Sequence, residues 1–270
     1  MNKPIKNLKL AFDDWGVGET TIILLPGWCS DRGILTALAK SLTNNRRVIN
    51  LDLLGHNESD YPEGDFGSED IVYEVLKIID SLDIHEFSTV SVAHAGWIAL
   101  ELRRRLFNRL SKMIFLEWIL IEPPSVFFKI LESMQKPNEW QNARDNLFHG
   151  WSLGDSDLIK PFQEFMTNYD FDMWSRAGRE IEKSYKKFGN ALKSLETIIP
   201  TPTVLSLYSP AQVKNLYAQP DDSSYFEAQQ NFAKNHPWFH FRRLSSKSHL
   251  PSVEVTQDVA HEIEYFMTNN

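Results

Sequence analysis

The stretch Phe87-Ser88-Thr89-Val90-Ser91-Val92-Ala93-His94-Ala95-Gly96 decides the fold. Phe87–Val92 reads as a short buried strand, and apolar positions at helical spacing follow the turn as far as Leu106. A strand that passes through a tight turn straight into a helix forms an elbow of the type small-x-nucleophile-x-small, because only small flanks fit the sharp bend. Ser91 and Ala95 are such flanks. The nucleophile position between them is Ala93, and a methyl group attacks nothing. Acyl-enzyme chemistry at this turn is therefore excluded.

Outward from the elbow, strands and helices alternate. Thr20–Leu25 is a buried strand ended by Pro26-Gly27, Gly33–Leu42 has helical spacing, and Arg47–Leu51 is a strand running into Asp52-Leu53-Leu54-Gly55-His56. Ser68 is placed to cap a helix to Leu82, and Lys112–Leu116 is a further strand. This order predicts an α/β fold with a mostly parallel, doubly wound sheet. The alternation breaks at Pro123-Pro124. Beyond it the segments Ser125–Gln135, Asn138–Phe148, Asp155–Asn168 and Asp172–Phe188 are all helical. Strand-like runs return at Thr203–Leu207 and Trp238–Leu244, and Glu254–Phe266 closes the chain as a helix. The organisation predicted is a core of residues 1–124 and 201–270 interrupted by a helical cap insert, 125–200. Such a cap belongs over the carboxyl ends of the strands, where open α/β sheets bind ligands.

Composition narrows the function. Among 270 residues, 28 Lys and Arg against 36 Asp and Glu give a formal charge of −8, the wrong sign for a nucleic-acid partner. The one basic run, Arg103-Arg104-Arg105, lies within a helical stretch and reads as a solvated face. No segment approaches the ~18 consecutive apolar residues of a membrane span, and the Met1–Lys9 start does not read as a signal peptide. The single cysteine, Cys29, rules out an internal disulfide or a cysteine-based zinc site. A cytoplasmic protein acting as a monomer or weak homodimer is the expectation. There is no His-x-His and no Gly-rich fingerprint after the first strand, so neither a metal nor a cofactor is expected. Eight Trp and seventeen Phe suit either an aromatic core or a pocket for a flat, apolar ligand.

The elbow keeps its donors even without a nucleophile. The N–H groups of His94 and of Trp28, after Pro26-Gly27, are placed to converge as an oxyanion site, although a Pro-Gly pair can also be an ordinary turn. His249, in Lys247-Ser248-His249-Leu250-Pro251, follows the last strand, where this architecture presents a basic histidine above the elbow. His56 and His85 read as loop residues, His149 and His261 as exposed helical ones, and His236 and His240 as structural residues flanking the last strand. The orienting acid predicted for His249 is Glu117, which follows Ile114-Phe115-Leu116; Glu122 is the reserve.

These residues together resemble the cofactor-independent dioxygenases that open 3-hydroxy-4(1H)-quinolone rings, within the α/β-hydrolase fold. The matching pieces span nearly the whole chain. They are Leu25-Pro26-Gly27-Trp28-Cys29, His94-Ala95-Gly96-Trp97, Glu117-Trp118, the run from Tyr169 to Arg179, His236-Pro237-Trp238-Phe239 and Ser248-His249-Leu250-Pro251. The resemblance implies His249 as general base and Glu117 as its acid partner. It also implies Trp28, Cys29, Ser30, Val92, Ala93, His94, Trp97 and Trp151 at the substrate and oxyanion site, with Trp28, Trp97 and Trp151 stacking around the ring. The partners implied are a small aromatic N-heterocycle and molecular oxygen, with no cofactor. Lid aromatics such as Phe127, Phe128, Phe162, Phe165 and Trp174 could receive a 2-alkyl chain or pack only against each other. The family pattern has serine at the position of Ala93 and aspartate at that of Glu117, and in some members histidine where Val92 and Ser30 stand. A hydrolase and a catalytically silent ligand-binding protein on the same scaffold are the alternatives. The first would need another nucleophile, for which Cys29 is the only thiol.

Overall fold

In the computed structural model, residues 8–270 are described, so most of the Met1–Lys9 start lies outside the described residues. The strands are β1 (Phe12–Trp15), β2 (Thr21–Leu25), β3 (Arg47–Leu51), β4 (Phe87–Val92), β5 (Leu110–Leu116), β6 (Thr203–Tyr208) and β7 (Phe239–Arg243). They form one sheet in the order β1-β3-β2-β4-β5-β6-β7. Every pairing is parallel except β1 with β3. β2 and β4 are buried along their whole length, the mark of parallel strands covered on both faces. The edge strand β1, with sequence Phe-Asp-Asp-Trp, carried no apolar run from which to predict it. Its acids are instead spent on basic neighbours: Asp13 on Arg32 at 3.2 Å and Asp14 on Arg47 at 2.7 Å.

The first half also contains α1 (Thr36–Leu42), α2 (Ser68–Ser81) and α3 (Gly96–Leu106). Ser68 is the first helical residue of α2 and not its cap. The cap is Gly67, whose N–H is met by the Asp70 carboxylate at 2.9 Å. Between β5 and β6 lie α4 (Ser125–Met134), α5 (Trp140–Trp151), α6 (Ser156–Met166), α7 (Phe171–Phe188) and α8 (Ala191–Glu196). α9 (Pro210–Tyr217) and α10 (Ser223–Asn235) separate β6 from β7, and α11 (Pro251–Glu254) and α12 (Thr256–Asn269) end the chain.

The run from Tyr169 to Arg179 fastens α7 to the core. Arg176, only 5% exposed, donates to Phe66 O at 2.8 Å and to Asp172 at 2.7 Å, and also pairs with Asp65. Arg179 donates to Phe66 O at 2.9 Å and to Asp65 at 3.0 Å, while Glu180 accepts the Ser68 N–H at 2.9 Å. A planar guanidinium can satisfy several acceptors from one buried position, which an ammonium could not do in this geometry. Among the described residues no helix is long and apolar enough to cross a membrane.

Candidate active site

The parallel strands all end on the same side of the sheet, and three residues at those ends hold left-handed backbone conformations: Cys29 (φ +54°), Ala93 (φ +47°) and Glu117 (φ +61°). Non-glycine residues seldom adopt such angles, and they persist only where surrounding structure imposes them. Ala93 therefore keeps the bent backbone of a nucleophile elbow without a nucleophile. The bend is packed tightly: a side chain at Gly96 would lie 2.1 Å from the Trp118 ring, so only glycine fits there.

The loop after β2 is held by a residue whose part was not legible in the sequence. His56 is fully buried, bonded through Nδ1 to Leu54 O at 3.0 Å, and its Nε2 accepts the Cys29 N–H at 3.1 Å. Donating at one nitrogen and accepting at the other requires a neutral ring, and burial pushes its pKa down to about 4. His56 is thus a strut under the Trp28 turn, not a simple loop residue. The one available signal was its position directly after Gly55 in the loop that follows β3.

Above these strand ends lies a cavity of about 290 Å³. Its wall includes Trp28, Ser30, Val92, Ala93, His94, Glu117, Trp151 and His249, and cap residues Phe127, Leu131, Phe162, Trp174 and Tyr185 complete it. Two expected members are not in the wall. Cys29 is fully buried beneath the turn. Trp97 lies behind the wall, with its ring centroid 5.0 Å from Trp118 and 5.2 Å from Tyr185, so it cannot stack on a ligand. Phe128 and Phe165 are also outside the lining, unlike Phe127, Phe162 and Trp174.

His249 stands on the loop after β7, and the cap helps to place it. Its N–H donates to Trp151 O at 2.9 Å, and its ring stacks on the Trp151 indole at 4.9 Å and 10°. Burial, with His94 close by, pushes the imidazole pKa down to about 3, so the ring is neutral and would hold a proton only with an anion nearby.

Glu117, 2% exposed, is the buried acid, whereas Glu122 is on the surface. Its direct pairing with the base is corrected by the structure. Oε1 accepts the Ser252 N–H at 2.9 Å and the Ser252 O–H at 2.6 Å, and among the described residues no hydrogen bond or ion pair joins Glu117 to the His249 ring. Its backbone carbonyl accepts from Gln212 Nε2 at 2.7 Å. Burial raises the carboxyl pKa to about 7 against the lowering pull of Ser252. Neither Ser252 nor Gln212 carried a sequence signal, because nothing in the spacing joins them to residue 117. Among the described residues no three His, Cys, Asp or Glu side chains are grouped as a metal cage requires.

The family model described as the alpha/beta hydrolase fold matches residues 20–204. The chain is 32% identical to the 2-heptyl-3-hydroxy-4-quinolone dioxygenase AqdC1 of Rhodococcus erythropolis over 90% of this chain and 84% of that protein. It is also 32% identical to the 1H-3-hydroxy-4-oxoquinoline 2,4-dioxygenase of Pseudomonas putida, over 92% and 91% of the two chains. Among solved structures, an AqdC variant in complex with its substrate superposes with a TM-score of 0.90 at 27% identity, covering 99% of this chain and 98% of that one. Sequence and fold agree across nearly the full length, and the chain belongs to the 3-hydroxy-4-quinolone dioxygenases, oxygenases built on the α/β-hydrolase fold.

Proposed function

We propose that this enzyme opens the ring of a 3-hydroxy-4(1H)-quinolone carrying a 2-methyl or 2-alkyl group, using molecular oxygen and releasing carbon monoxide and an N-acylanthranilate. The observation that carries the reading is a neutral imidazole, His249, lining an apolar, aromatic-walled cavity beside a buried carboxyl group. In this reading His249 removes the 3-hydroxyl proton. The substrate anion then gives up electron density to dioxygen, forming a peroxide at ring carbon 2 that closes on carbon 4. Collapse expels carbon 3 as carbon monoxide and leaves one oxygen atom of dioxygen on each of the two flanking carbons.

The imidazolium formed in a dry cavity needs nearby negative charge, which the substrate anion and the ionised Glu117 supply. In this reading the Trp28 and His94 amides, for which no acceptor is found among the described residues, receive the developing oxyanion. Trp28 and Trp151 flank the ring, and Ser30, Val92 and Ala93 complete that end of the cavity. Residues 1–124 and 201–270 act as the core and 125–200 as the cap. The cavity is complete within one chain, which suits a monomer or weak homodimer, and the single buried thiol suits a cytoplasmic location.

The test is anaerobic mixing with a 3-hydroxy-4(1H)-quinolone followed by admission of air. Loss of the quinolone absorbance only after air enters, with carbon monoxide released, is the expected result. A spectrum unchanged under both conditions defeats the proposal. A positioned base contributes roughly 10²–10⁴-fold in rate, so His249→Ala should lose at least about 10²-fold in kcat while still binding the ring anaerobically.

A further inference from the structure

We propose that Tyr185 and Trp118 fix the tautomer of His94, so that its Nδ1–H is a side-chain donor this cavity offers to an oxygen of the bound ring. The three residues come from three separate elements: His94 from the elbow, Trp118 from the segment after β5, and Tyr185 from the cap helix α7. Trp118 Nε1–H donates to the Tyr185 oxygen at 3.3 Å, and that oxygen lies 3.4 Å from His94 Nε2.

An indole nitrogen can only donate, so the Tyr185 oxygen must accept there. The phenol has one proton left and, among the described residues, one remaining protein partner, His94 Nε2. If Nε2 carried a proton instead, the buried phenol proton would have no protein acceptor there. Nε2 is therefore the accepting nitrogen, and the ring proton is assigned to Nδ1. Burial supports the assignment at both ends: the His94 pKa is pushed down to about 3, keeping the ring neutral, and the Tyr185 hydroxyl is pushed up, keeping its proton.

The imidazole is also held against rotation. It stacks on Phe127 at 5.4 Å and 25°, and meets the Tyr185 and Trp118 rings edgewise at 5.9 and 6.2 Å. Turning the ring over would break its bond to Tyr185. His94 lines the cavity, and Nδ1 has no protein partner among the described residues, so its N–H remains for the ligand. Ala93 brings no hydroxyl to the same spot, which makes this donor more important here than where a serine stands. Because Tyr185 belongs to the cap, the tautomer is set only when α7 is seated on the core. Tyr185 and Trp118 are positioning residues in this scheme.

The identity of the bound ring rests on the proposed function, but the tautomer does not, and the tests separate the two. Nitrogen-15 NMR of the ligand-free protein with labelled histidines should show His94 protonated at Nδ1 and bare at Nε2, and Tyr185→Phe should turn this into a mixture. A wild-type spectrum with Nε2 protonated overturns the proposal. For the donor role, His94→Asn places an amide N–H where Nδ1 stood, and His94→Gln places it where Nε2 stood. Anaerobic binding of a 3-hydroxy-4(1H)-quinolone should be nearly retained in His94→Asn and weakened about tenfold or more in His94→Gln, as loss of a hydrogen bond to a charged group implies. The reverse order overturns the donor assignment. A wild-type protein that leaves the quinolone intact in air overturns the reaction and leaves the NMR result standing.

Discussion

The carboxylate of Glu117 accepts both the N–H and the O–H of Ser252, which lies in α11, three residues beyond His249. The acid after β5 thus secures the segment that carries His249; in the proposed mechanism it acts on the imidazole through charge, not through a shared proton. Two further contacts hold that segment. Ser248 Oγ accepts the Leu250 N–H at 3.1 Å, and Glu254 takes the Ser248 N–H at 2.8 Å. These contacts and the cap's Trp151 carbonyl together place His249, and among the described residues neither of its ring nitrogens has a hydrogen-bond partner.

The titratable side chains in the cavity wall are His94, Glu117, Tyr185 and His249. Both histidines are pushed down to about 3 and the tyrosine is pushed up, so only Glu117, near 7, changes charge around neutrality. Its anion is the form that stabilises an imidazolium. We expect kcat/KM to rise with pH and level off above about 7, and Glu117→Gln to give a flatter, lower profile. A pH-rate profile of the two proteins checks this, and an unchanged inflection near 7 in the variant removes Glu117 from the mechanism.

The same group has a stability signature. Its folded pKa, about 7, lies above the ordinary 4.5, so the folded state binds a proton more tightly than the unfolded chain does. Stability contributed by the protonated acid is complete below 4.5 and is lost as pH rises through about 7. The loss is of the order of 3 kcal/mol. Glu117→Gln keeps an acceptor for Ser252 and removes the charge. Urea unfolding should find it more stable than wild type at pH 8, with the gap closing towards pH 4.5. A gap that widens on acidification would contradict the sign.

His56→Ala removes the one acceptor that the Cys29 N–H has among the described residues. A buried donor left unpaired costs about 1–3 kcal/mol, and the vacated ring volume adds to that. The denaturation midpoint should fall accordingly. kcat should fall too, because the turn that aims the Trp28 amide loses its strut. Full activity in a destabilised His56→Ala protein would show that the turn holds its shape unaided.

Cys29 is fully buried, and burial pushes its thiol pKa up. Iodoacetamide at neutral pH should leave the rate unchanged while the protein stays folded, with labelling appearing only on unfolding. Inactivation in step with labelling of Cys29 would favour thiol chemistry and the hydrolase alternative.

The alternation of buried strands and amphipathic helices was legible along the chain, as were the elbow around Ala93, the isolated helical stretch after Pro123-Pro124, and the prominence of His249 and Glu117. All of these depend on local periodicity, turn chemistry and residue type, which neighbouring positions encode. The short edge strand β1, the strut under Cys29, the placing of Trp97 behind the wall, the clamp of Ser252 on Glu117 and the chain from Trp118 through Tyr185 to His94 were decided by tertiary structure. Each joins residues far apart in sequence, through geometry that propensity does not carry. A buried polar group must find a partner wherever the fold supplies one. Sequence spacing could nominate Glu117 and His249, but only the packed interior determined that the carboxylate would bond to Ser252 and not to the imidazole.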